Sequence, residues 1–180
     1  MDDIEIIEQT TKWIKDVVIA SNFCPFAARE MKRNTIYYKV ARTKGENPLD
    51  LFLKECSRLD SDKEIETTLL IFPDAFQNFD DYLDLVFQAE KLLKKKSYEG
   101  IYQVASFHPF YKFAGSTADD AANFTNRSPY PMLHLLREES IEKSLLRYPN
   151  PENIPENNIH FARKKGFAYM NMLRDSCLKS

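Results

Sequence analysis

Between residues 100 and 137 the chain changes its choice of side chains. The whole sequence of 180 residues has 16 lysines and 14 glutamates. In proportion, this stretch would hold about six of the two combined; it has Lys112 and no glutamate. In their place stand His108, Asp119, Asp120, Asn123, Asn126, Arg127, Ser128, Tyr130, His134 and Arg137. Lysine and glutamate are the usual solvating groups of a surface, so dropping them while keeping short polar groups reads as a partly enclosed polar site. A connection this long and this weakly periodic is functional or disordered, and its aromatics and prolines argue against disorder.

The chemistry follows from residue type. His108 directly follows the apolar run 101–107, and in open parallel sheets ligands bind where strands end. It is a candidate general acid/base or metal ligand, with a loop-bonded structural histidine as the plainer reading. Ser116 and Thr117 can cap a short helix over 118–127. That helix would place Asp119, Asp120, Asn123, Asn126 and Arg127 on one arc, either a solvated face or the wall of a site. Asp119 and Asp120 are then catalytic candidates that orient His108 or hold a metal. Asn123, Asn126, Arg127, Ser128, Tyr130, His134 and Arg137 are candidate ligand-binding residues. The forks of Arg127 and Arg137 suit a small anion. His134, between Leu133 and Leu135, points away from both if the piece is a strand, and also reads as a satisfied core histidine. A site here requires His108, Asn126, Arg127 and one of the aspartates to line one pocket, with Arg137 at its edge.

Three cysteines, widely spaced and odd in number, do not make a disulfide framework, and a reducing cytoplasm is the expectation. Cys56 lies on an apolar stripe and Cys177 near the C-terminus; both read as inert. Cys24, before Pro25, is a candidate nucleophile with His108 and an Asp, or a metal ligand with His108, His134 and an Asp, though packing explains it as well. No CxxC or HxxxH spacing supports a metal, so metal and cofactor stay unknown.

The elements that must position these residues follow from periodicity. Residues 3–21 read as an amphipathic helix, 34–42 as a strand, and 48–59 as a helix opened by Pro48. Residues 66–72 form a short apolar run ended by Pro73, as in a strand buried on both faces. A strong helix at 79–97 and a strand at 101–107 follow, then a short strand at 132–137 and a helix at 138–148. A last helix over 158–177 has Gly166 in its middle, where a close helix contact would explain it. The order predicts one α/β layered domain over 1–180, with a small, mainly parallel βαβαβ sheet flanked by helices. A ferredoxin-like α+β arrangement is the alternative.

Composition limits the function. The chain is 43% hydrophobic and 29% charged with a net charge of −2, which argues for a real core and against nucleic acid as a partner. No apolar run reaches the ~20 residues of a bilayer span, so no membrane partner is expected. None of the 4 glycines sits in a GxGxxG or GxxxxGK[ST] pattern.

Three blocks carry a resemblance: Cys24-Pro25-Phe26, Gln103-Val-Ala-Ser-Phe-His-Pro109, and Asn123-Phe-Thr-Asn-Arg-Ser-Pro-Tyr-Pro-Met-Leu-His-Leu-Leu-Arg-Glu138. With them the chain resembles a bacterial protein family of unknown function and of about this length. The resemblance implies a bacterial origin and a single full-length domain, and assigns no activity. From the residues, two readings stand: an enzyme or binding protein for a small anionic ligand in a 108–137 pocket, or a non-catalytic module docking through Phe107, Phe110, Tyr111, Phe113 and Tyr130.

Overall fold

The computed structural model describes residues 1–42 and 45–179. Helix α1, Asp3–Trp13, starts where the Asp2 carboxylate accepts from the Glu5 N–H. It continues into a π-helical turn, Ile14–Ile19, whose wider bonds include Ala20 N–H to the Lys15 carbonyl. A short helix α2, Ala27–Arg33, ends on Asn34 in the left-handed region and leads to strand β1, Ile36–Val40. Helix α3, Pro48–Ser61, is capped by Asn47 with Pro48 in its first turn. Strand β2, Thr67–Ile71, is buried at every position. Helix α4, Phe79–Lys95, is capped by Asn78. Strand β3, Tyr102–Phe107, precedes the 108–131 connection, and strand β4, Met132–Arg137, runs directly into α5, Glu138–Leu145. Helices α6, Ile154–Lys165, and α7, Phe167–Asp175, complete the chain with a 3₁₀ turn at Ser176–Leu178.

Among the described residues, seven α-helices thus surround a four-stranded mixed sheet of order β1-β2-β4-β3. This is an α/β fold. The expected parallel neighbours are realised only in β1–β2; β4 pairs antiparallel with both β2 and β3 and separates them. The βαβαββ order does not follow the ferredoxin-like βαββαβ order either. Tyr82 of α4 ties the β3–β4 end together, donating to the Met132 carbonyl (2.7 Å) and accepting from the Phe107 N–H (2.8 Å).

Strand alternation divides the core in two. Leu70, Leu133, Leu135 and Tyr102 pack with α3 and α4 through Phe52, Leu59, Tyr82 and Ala89. Leu69, Ile71, Val40 and Met132 pack with α1, the π turn, the 121–125 segment and the C-terminal helices through Trp13, Val17, Phe124 and Met170. His134 and Thr67 face this second side.

One local reading needs correction. The last helix breaks at Gly166, whose φ of +83° suits glycine; nothing lies within 4 Å of where a Cβ would stand, so no close helix contact explains it. The C-terminal turn docks on α1, with Lys12 Nζ donating to the Ser176 carbonyl, and Cys177 is fully buried.

Candidate functional site

Most of the 108–137 polar groups are taken up by one another, by backbone or by side chains of other elements. The His108 ring is buried against Phe79 and Tyr82. Its Nδ1 accepts from the Phe110 N–H (3.0 Å), so Nε2 carries the proton and donates to the Phe76 carbonyl (2.9 Å). Burial holds this imidazole below the ordinary histidine range, against the opposing pull of the Phe76 carbonyl. Both nitrogens are occupied in the neutral form.

The predicted helix over 118–127 is only a 3₁₀ turn, Ala121–Thr125, capped by Asp120. Asp120 also pairs with Arg163 (2.7 Å), and that ion pair holds its carboxyl low. Asp119 is exposed, its carboxyl lowered by a bond from Thr117. Asn123, fully buried, accepts from the Phe113 N–H (3.1 Å) and the Ser116 hydroxyl (2.9 Å) and donates to the Thr117 carbonyl (2.8 Å). Asn126 donates to the Ser106 carbonyl, and its own carbonyl accepts from the His108 N–H.

Arg127 is buried. It donates to the carbonyls of Tyr111 (3.0 Å) and Ala118 (2.7 Å) and lies over Phe124. Ser128 donates to the Tyr130 carbonyl, and the Tyr130 hydroxyl to Gln9. Arg137 donates to the carbonyls of Leu59 (2.6 Å), Asp62 (3.1 Å) and Ile65 (2.9 Å). The two arginine forks expected to clamp an anion therefore bind peptide carbonyls. Of the aromatic loop, only Phe110 is well exposed, at 64%; Phe107, Tyr111 and Phe113 are half-buried and Tyr130 is buried.

The open space lies elsewhere. A cavity of about 280 Å³ sits on the sheet face beneath α1, α2 and α5. Its floor is Thr67 and Leu69 of β2, His134 and Leu136 of β4, and Ala105 and Phe107 of β3. Trp13 and the π-turn residues Ile14 and Val18 form one wall; Cys24, Phe26 and Ala27 form another; Ile141 of α5 closes it. The widened turn thus borders the cavity, and π turns are frequent at functional sites. Exposed Arg29 and Gln103 stand at the mouth.

Polar groups around this space are few. Thr67 Oγ1 lies 2.6 Å from the Leu135 carbonyl and 2.6 Å from His134 Nε2. A carbonyl only accepts, so the hydroxyl proton points to it and Nε2–H donates to Thr67. His134 Nδ1 is left a bare acceptor with no partner among the described residues. Desolvation alone lowers this imidazole to about 4, so at neutral pH it accepts a hydrogen bond but is a weak base. Buried Glu30 is bound by Arg29 Nε (2.5 Å) and the Thr35 hydroxyl (2.7 Å), and Arg29 also reaches Ser144 (3.1 Å). Glu66 Oε1 is shielded from solvent and has no partner. Burial raises the Cys24 thiol, which suits a packed group and not an activated nucleophile. Among the described residues no three His, Cys, Asp or Glu gather as a metal set, and no helix is long and apolar enough to cross a membrane.

Of the residues expected at a site, the structure brings Cys24, His134 and Arg137 to this cavity. His108, Asp119, Asp120, Asn123, Asn126, Arg127, Ser128 and Tyr130 do not line it. A family-wide sequence pattern matches residues 5–172. The chain belongs to the DUF1415 family, proteins of unknown function. No curated protein and no solved structure matches it.

In this DUF1415 chain, sequence reasoning missed Thr67, Glu66, Arg29, Glu30 and Ala105. A signal existed: Glu66-Thr67-Thr68 opens a central strand with polar residues, and His134 lies on the strand beside it. The α2 contribution had no comparable mark, because a seven-residue helix shows too little periodicity to stand out.

Proposed function

We propose that this protein binds a small, largely apolar molecule reversibly in the sheet-face cavity. The supporting observation is the cavity itself. Small-molecule sites are concave, mostly apolar and few per protein. About 280 Å³ is nearly twice the ~150 Å³ that holds benzene, enough for a substituted aromatic or a branched chain. His134 Nδ1 and the Glu66 carboxylate supply the few orienting polar groups typical of such pockets. A neutral, weakly basic imidazole and a packed thiol favour binding over acid–base or covalent catalysis. The anionic ligand that Arg127 and Arg137 suggested finds less support, since both guanidinium groups hold carbonyls. The free thiols at Cys24, Cys56 and Cys177 fit a reducing compartment such as the cytoplasm.

Ethylbenzene tests this reading by thermal shift. Near 100 times its Kd, a ligand adds ~2.7 kcal/mol and raises the melting temperature. The increase should vanish in Ala105→Leu, which fills the floor. No shift with ethylbenzene, or a shift that survives Ala105→Leu unchanged, would contradict it.

A further inference from the structure

Two unpartnered groups around the cavity, on His134 and Glu66, are acceptors; the donors in its lining without a partner among the described residues include the neutral Ser140 hydroxyl and Gln103 amide. His134 Nδ1 is a lone-pair acceptor, because its Nε2–H is engaged by Thr67, whose hydroxyl is engaged by the Leu135 carbonyl. Glu66 Oε1 is a carboxylate oxygen shielded from solvent with no donor within reach. The cations nearby are occupied: Arg137 by three carbonyls, and Arg29 by Glu30 and Ser144. An acid entering here would find no unpaired cation, only neutral donors such as Ser140 and Gln103, and its charge would face Glu66. A buried acceptor without a donor is unfavourable, so the matching ligand group is a donor.

Resting on the binding reading above, we infer that the cavity takes an apolar body bearing a hydrogen-bond donor, of the amine or alcohol class, and discriminates against carboxylates. Trp13, Phe26 and Phe107 on the walls favour an aromatic body, and their faces tolerate a positive charge beside Glu66. Ethylbenzene fits the walls and leaves both acceptors unpaired. The matching amine or alcohol fits the same walls and supplies a donor.

A matched series separates the ideas: phenethylamine, 2-phenylethanol, phenylacetate and ethylbenzene, titrated against the full chain by ligand-observed NMR. The amine or the alcohol should bind at least about tenfold tighter than phenylacetate and tighter than ethylbenzene. In Glu66→Gln the amine should weaken by about fivefold while ethylbenzene, which reports that the variant's cavity is intact, stays unchanged. Phenylacetate binding as tightly as the amine and alcohol overturns the inference, and points to Arg29 at the mouth as its partner. Ethylbenzene binding as tightly as the donors also overturns it but leaves the binding reading standing. No binding by any of the four overturns both.

Discussion

In the 108–137 segment nearly every polar side chain ends on a partner. Asn123 holds three groups of its own loop, Arg127 two carbonyls, His108 one group at each nitrogen, and Arg137 three carbonyls across the sheet end. Around the cavity polar atoms are sparse, and Glu66 Oε1 and His134 Nδ1 end on nothing. The first region is rich in the residue types of active sites, yet it works as a brace that lets an irregular chain run through a desolvated place. The second is mostly aliphatic and aromatic and surrounds an apolar cavity. Density of polar residues here marks buried backbone that needs partners, whereas unsatisfied polar atoms beside open space mark the candidate site.

The largest effect expected from this contrast is at Asn123. Asn123→Ala strands the Phe113 N–H and the Thr117 carbonyl and should cost about 2–4 kcal/mol in urea unfolding. The surviving folded fraction should bind cavity ligands with unchanged affinity. A loss of affinity beyond the loss of folded protein would blur the two regions together.

Acid comes next. His134 is held at about 4 and His108 below its ordinary value, so both are neutral when folded while the unfolded chain protonates near ~6.5. The unfolded state then binds more protons on acidification. Stability is complete above about pH 6.5 and falls as pH drops toward the folded values, by up to about 3 kcal/mol for His134 alone. Urea midpoints across pH 7.5 to 4 should show this slope, and His134→Leu should flatten it. A stability that rises on acidification over that range would contradict both assignments.

Filling the void should act in the opposite direction. Ala105→Leu adds apolar atoms to open space and should stabilise by about 1 kcal/mol, read as a raised urea midpoint. Smaller effects follow at the thiol and the exposed carboxylate. Cys24 should label slowly under native conditions, and more slowly still with ethylbenzene bound; fast, pH-insensitive labelling near neutrality would restore it as a nucleophile. Asp119→Asn, at an exposed side chain, should leave both melting temperature and ligand affinity where they are.

Much of the fold is legible in the amino-acid sequence. The 132–137 strand, the buried 66–72 run, and the α3 and α4 helices carry their own periodicity and caps. Strand order is not, because alternation records which face a residue takes and nothing about its neighbour; hence β4 between β2 and β3 was out of reach. The π turn at Ile14–Ile19 is equally silent, since its apolar residues recur much as an α-helix would place them. The candidate site was less legible for a related reason. Composition marks Arg127 and Asn123 as unusual but does not tell a ligand from a peptide carbonyl. The cavity arises where side chains from separate elements fail to meet, and no local pattern encodes that.

The most direct measurement is a two-dimensional NMR titration with ethylbenzene, following methyl groups and backbone amides together. The account predicts saturable shifts at the Ile14, Val18, Ala105, Leu69 and Leu136 methyls, while the amides of Phe113, Ser116 and Asn123 stay still. Shifts concentrated at Phe113, Ser116, Asn123 and Arg127 with the cavity methyls unmoved would return the site to the 108–137 segment.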